Sequence, residues 1–213
     1  MATDWATISS LATAAGTLVL ALATFASVRS ANRSARIAEQ ALQEQRRPVL
    51  GPSRFEDAPQ KLMFVDGHWV RAAGGHGSAE HVNGVVYLAL SLRNLGAGIG
   101  VLHGWHAWAG LRPSGEFPQP APPEELRPLT RDLYIPAGDT GMWQGAVRDS
   151  ADSMHGQLRA AIEAREPLSI ELLYSDQVGG QRTISRFGLT PAGEDDWLAF
   201  VARHWFLDQA GPR

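Results

Sequence analysis

Apolar and polar positions fall into three successive patterns along this chain. From Trp5 to Val28 the sequence WATISSLATAAGTLVLALATFASV runs 24 residues without a charge, and a helix needs roughly 20 such residues to cross the hydrocarbon core of a bilayer. Ile8, Leu11, Leu18, Val19, Leu20, Leu22, Phe25 and Val28 favour insertion, by about 0.3–0.6 kcal/mol each. Seven Ser and Thr residues oppose it mildly, but helical hydroxyls can bond to preceding backbone carbonyls and are tolerated in lipid. The expectation is a transmembrane helix within residues 1–28. A buried soluble helix of this kind would have to be covered on all sides by a modest domain. A cleaved signal peptide would carry its basic residues before the apolar run, where only Asp4 stands.

The second pattern is a charged neck. Arg29–Arg47, RSANRSARIAEQALQEQRR, lacks Gly and Pro and is rich in helix formers, so the helix should run on through residues 29–47 and stop at Pro48. Arg29, Arg33 and Arg36 follow the apolar run. By the positive-inside bias they stay cytoplasmic, which puts the N-terminus outside the plasma membrane, Trp5 at the far interface as an aromatic anchor, and the rest of this single-pass chain in the cytoplasm. The same arginines suit anionic lipid headgroups, at about 1 kcal/mol each. Ala12 and Gly16 form a small-xxx-small pair, and Val28, Ala31, Ala35, Ala38 and Leu42 repeat at spacings of three and four. Both features make a homo-oligomer a candidate assembly.

Past Pro48 short apolar runs alternate with Gly, Pro, Asp and Asn clusters, the texture of an antiparallel β domain over residues 48–213. Lys61–Val65, Asp66-Gly67 and His68–Val70 read as a hairpin, the Asp-Gly pair supplying positive φ angles. In Gly84–Arg93 the side chains of Val85, Tyr87, Ala89 and Ser91 share one face and those of Val86, Leu88, Leu90 and Leu92 the other. Val101–Leu111 looks extended, residues 112–130 form a Pro-rich surface loop, and Arg131–Val147 reads as strand, turn at Ala137–Asp139 and strand. Ser150–Arg165 reads as a capped helix, and Leu168–Tyr174 with Gln181–Leu189 as a second hairpin. Glu194–Leu207 predicts a last helix, with Asp195 and Asp196 in its first turn and Trp197, Phe200, Val201, His204 and Trp205 on one stripe. The fold class expected is mainly β: an Ig-like β-sandwich, or alternatively a small β-barrel, with one or two helices behind the transmembrane helix and neck.

Charge changes this picture in one respect. The net charge of −3 divides into +2 over residues 1–47 and −5 over the remainder, and an acidic main domain lacks the basic footprint of a nucleic-acid binder. The chain has no cysteine, which removes disulfides, Cys-ligated zinc, iron–sulfur centres and a thiol nucleophile. Gly96, Gly98 and Gly100 lack the strand-before, helix-after context of a phosphate loop and read as a bulge between strands. His103 and His106 point to opposite faces of a strand, so they do not converge on one metal. His76 and His81 flank a Gly-rich loop, Ser175-Asp176 sits in a hairpin turn, and His204 reads as a core or cap residue. No cofactor, metal or catalytic residue is expected.

The N-terminal span, the ARIAEQALQEQRRPVL neck, the strand ending in RNLGAGIG, the YSDQVGGQRT hairpin and the terminal RHWFLD together resemble a group of uncharacterised single-span bacterial membrane proteins. The resemblance covers nearly the whole chain and implies the same anchored β plan, with no activity attached. The leading functional expectation is a membrane-anchored interaction or scaffold module whose β domain docks a protein partner through edge strands or loops. The alternatives are a small-ligand sensor signalling through the neck, and an enzyme of unassigned reaction.

Overall fold

The computed structural model describes residues 4–208 apart from 114, 117, 118, 194 and 195. The chain divides into two units, Met1–Glu44 and Gln45–Arg213. Helix α1 runs from Trp5 to Gln45 without a break; at 1.5 Å per residue that is about 60 Å. It is long and apolar enough to cross a membrane. Its hydroxyls are satisfied along its own backbone: Ser10, Thr13, Thr17 and Thr24 each donate to a carbonyl three or four residues back. The helix stops short of Pro48, whose ring disfavours helical backbone in the residue before it.

The second unit is mainly β. Its strands are β1 (Leu50–Pro52), β2 (Gln60–Met63), β3 (Trp69–Ala72), β4 (His76–Val82), β5 (Val85–Asn94), β6 (Gly100–Ala109), β7 (Arg127–Ile135), β8 (Thr140–Val147), β9 (Leu168–Ser175), β10 (Thr183–Ala192) and β11 (Asp196–Phe206), with helix α2 (Ser153–Glu163) between β8 and β9. Nine strands join in one antiparallel, curled sheet that runs from β5 through β4, β11, β10, β9 and β6 to β7. Strand β8 pairs with β5 over Val86–Arg93, a stretch that overlaps the pairings of both β4 and β1 with β5. Strands β4 and β1 therefore share one edge of β5, and β8 takes the other. The coarser expectation, a mainly β domain that follows a long apolar helix in the chain, is what the structure shows.

Strand β5 shows why its sequence is apolar on both faces. Val86, Leu88, Leu90 and Leu92 enter the main core. Tyr87 and Ala89 enter a second, smaller core with Phe64, Val70, Ala72 and Met142, under the separate β2–β3 ribbon. That ribbon is the hairpin the sequence predicts, paired Met63 to Trp69, with Gly67 at φ +82° in its turn. Helix α2 is capped by Asp152, whose carboxylate accepts from the Met154 N–H, and buries Met154, Leu158, Ala161 and Ile162 in the main core.

Two expectations need correction. Residues 196–206 form strand β11, not a helix; Glu194 and Asp195 of that segment lie outside the described residues. Trp197 and Ala199 alternate into the core as a strand requires, and a bulge opposite Arg186/Phe187 then shifts the register. The apparent helical stripe is a period-two pattern with one residue inserted. Likewise His76 and His81 do not flank a loop, since both lie in strand β4. A Cβ on Gly74 or Gly77 would collide with the carbonyls of Arg54 and Ala89, so glycine here permits close approach of backbones.

Candidate functional site

Strands β7 and β8 follow one another through a four-residue connection yet do not pair: β7 bonds β6, and β8 bonds β5. The connection is fastened to Asn94. Its amide N–H donates to the Asp139 carbonyl (3.0 Å), its carbonyl accepts from Gly138 (2.9 Å), and its side chain donates to the Ile135 carbonyl (2.9 Å). From this vertex the two strands splay and leave a slit along the sheet, with a cleft of about 350 Å³ at its wide end and a smaller one of about 210 Å³ nearer the vertex.

The slit has a distinct chemistry. Leu129, Thr130 and Arg131 of β7 face Gln144 of β8 in both clefts; Trp105, Gly145 and Val65 complete the wide end, and Trp143 the narrow one. Trp143 is fully buried, and among the described residues its indole N–H has no hydrogen-bond partner, nor has the buried Gln144 Oε1. Buried polar atoms are normally satisfied, so two adjacent exceptions mark the place. Three guanidinium groups, Arg127, Arg131 and Arg148, line the wide cleft, and none of its described lining residues is a carboxylate. Arg127 pairs with the Asp152 cap of α2, and this hydrogen bond holds the Asp152 carboxyl below its ordinary 3.8. Arg148 pairs with Asp66 at 3.1 Å.

The sequence-derived candidates sit elsewhere. Trp5, Arg29, Arg33 and Arg36 lie exposed on α1, as do Ala12, Gly16, Ala35, Ala38 and Leu42. His103 is the bulged residue of β6 and contacts Ser175 at 2.7 Å, whereas His106 contacts the Glu125 carbonyl at 2.9 Å. The Ser175 hydroxyl donates to the Asp176 carbonyl. His76 approaches Asp196, and His81 approaches Glu163.

His204 ends a buried polar chain: the Leu50 N–H donates to the Tyr174 hydroxyl (3.1 Å), which meets Ser185 (2.8 Å), which meets His204 Nδ1 (2.6 Å). With the Tyr174 hydroxyl donating to Ser185, the Ser185 hydroxyl is free to donate to an unprotonated Nδ1. Burial holds the ring below its ordinary 6.5. The neutral ring thus contributes stability that is fully present above pH 6.5 and lost as pH falls through the lowered native value. The Tm should drop between pH 7.5 and 5.5, and His204→Gln should flatten that drop; an equal drop in both proteins would remove His204 as its source.

Glycines 96 and 98 serve packing. A Cβ at either would strike the carbonyls of Arg47 or Arg46, so the loop cradles the segment where the chain enters the β domain. The Pro-rich loop is also tied down, its Ala121 N–H donating to Glu171 at 2.7 Å. The slit was beyond sequence reasoning because it depends on which strands fail to pair. Compared with family models, curated proteins and solved structures, the chain shows no match.

Proposed function

We propose that this chain is a single-pass, membrane-anchored interaction module that docks a protein partner in the slit between β7 and β8. The observation that carries the reading is the pair of facing strand edges of β7 and β8 that do not pair with one another, with the unpartnered Gln144 Oε1 beside them. Free edges invite pairing with another chain. The curled sheet is read as an open barrel with its gap at the slit, in preference to an Ig-like sandwich. The sensor alternative draws less support, because the interior is filled by Trp105, Trp143, Trp197 and aliphatic side chains, and the clefts open at the sheet edge. The main-chain plan implied by the resemblance to single-span bacterial proteins is consistent with this reading.

Helix α1 is the anchor, with the N-terminus outside and the β domain at the cytoplasmic face of the plasma membrane, on the strength of Arg29, Arg33 and Arg36. Because the chain has no cysteine, Asp4→Cys and Val178→Cys report orientation cleanly. An impermeant maleimide should label the first in intact cells and the second only after lysis; the reverse pattern would invert the topology.

Docking is tested by a photo-crosslinking residue at position 129, inside the slit, and at position 178, on the exposed β9–β10 turn. In native membranes the slit position should yield a discrete adduct that the turn position does not. Identical adduct patterns, or none from the slit, would sink the reading.

A further inference from the structure

The slit also constrains what could occupy it. We infer that its ligand is an extended, acidic peptide segment that enters as an added strand between β7 and β8, an inference that rests on the docking reading above. Consecutive strands joined by a tight connection run in opposite directions, so an inserted strand would lie antiparallel to one wall and parallel to the other. Near the Asn94-bound vertex the walls are held together; the wide cleft lies between residues 127–131 and 144–148, at the other end. Residues 129–132 of β7 stand outside its ladder with β6, whose register passes from Pro128 to Leu133. Pro128 has no N–H to offer, which confines edge pairing on that wall to Leu129 onwards. An arriving backbone carries an N–H, the group that the buried Gln144 Oε1 lacks among the described residues.

The side chains set the class of peptide. Arg127, Arg131 and Arg148 line the cleft; Arg127 and Arg148 already pair with Asp152 and Asp66, whereas Arg131 is exposed without an ion-pair partner among the described residues, and no described lining residue is a carboxylate. Guanidinium groups recognise carboxylates through charge-assisted hydrogen bonds. On the cleft's outer side the hairpin contributes Phe64 and Val65, the latter 74% exposed. Alternation along a strand would send acidic side chains to the arginines and apolar ones to this hairpin.

The experiment is a selection of random dodecapeptides displayed on phage against the full chain in nanodiscs, followed by fluorescence anisotropy with the enriched peptides. The expected result is enrichment of sequences that alternate Asp or Glu with Val, Ile or aromatic residues. Their affinity should fall about tenfold or more with Arg131→Glu, and again with Thr130→Pro, which removes an edge N–H at a position outside the ladder and should leave Tm unchanged. Enriched peptides that are basic, or that bind both variants as well as the parent, would overturn the acidic added strand. If such peptides still compete with the crosslink from position 129, docking in the slit survives and only the ligand class falls; loss of the crosslink itself fells the docking reading.

Discussion

Arg186→Met is expected to lower the stability of the β domain by about 3–5 kcal/mol, because it strands a buried carboxylate. Glu171 and Arg186 are 0% and 1% exposed, on the sheet face away from the main core, under the Pro-rich loop. Arg186 Nε donates to Glu171 at 2.7 Å, and its two terminal nitrogens donate to the carbonyls of Arg112 (3.2 Å) and Gln119 (2.8 Å). Its guanidinium also lies over the Trp205 ring, 4.7 Å from the centroid. One side chain therefore neutralises Glu171 and clamps the loop at two points. Urea unfolding of the detergent-solubilised chain, followed by Trp fluorescence, should show the loss, with new protease cleavage within 112–121. The double variant Glu171→Met/Arg186→Met should recover much of it, since replacing both partners of a buried pair by apolar groups is often neutral. A single variant within 1 kcal/mol of the parent would mean that the pair is not the clamp.

That clamp explains part of what was legible in the sequence and part of what was not. Alternation read both faces of β5 correctly because both are buried, one in each core. The Asp-Gly hairpin, the α2 cap and the β9–β10 hairpin were legible because their determinants are local: a positive φ at Gly67, the Asp152 carboxylate, and the Asp176 carboxylate accepting from Gly180. Strand β11 was misread because the bulge beside Arg186 shifts the phase, turning Trp205 toward a guanidinium while Trp197 stays in the core. A period-two run with one insertion mimics a helical stripe over this length. The packing role of Gly74, Gly96 and Gly98 was not legible, because their contacts with the carbonyls of Arg54, Arg47 and Arg46 are set by residues distant in the chain. The slit is the extreme case. Nothing in the sequences of β7 and β8 says that neighbours joined by four residues will not pair, since that follows from closure of the whole curled sheet.

The residue that sets that geometry makes the second large prediction. Asn94 is fully buried; its Oδ1 accepts from the N–H groups of Val49 (3.3 Å) and Gly96 (3.0 Å), and its Nδ2 donates to the carbonyls of Gly98 (2.6 Å) and Ile135 (2.9 Å). One amide thus joins the entry from the neck, the glycine loop and the β7–β8 connection. Asn94→Leu keeps the approximate size but leaves these backbone groups without a partner, at about 1–3 kcal/mol for each that water cannot reach. The expected loss is about 4 kcal/mol, or about 8–16 °C in Tm for a chain of this length. Asn94→Asp supplies the discriminating control. As a carboxylate it would keep the two acceptor contacts while facing the Gly98 and Ile135 carbonyls without a proton to donate. It should be damaged at neutral pH and partly restored in acid, where a protonated carboxyl regains one donor. Differential scanning fluorimetry of the three proteins between pH 4 and 7.5 measures both effects. Because Asn94 also holds the vertex of the slit, the leucine variant should lose the position-129 crosslink at temperatures where it is still folded. Loss of stability with the crosslink intact would separate the role of Asn94 in the fold from any role in shaping the slit.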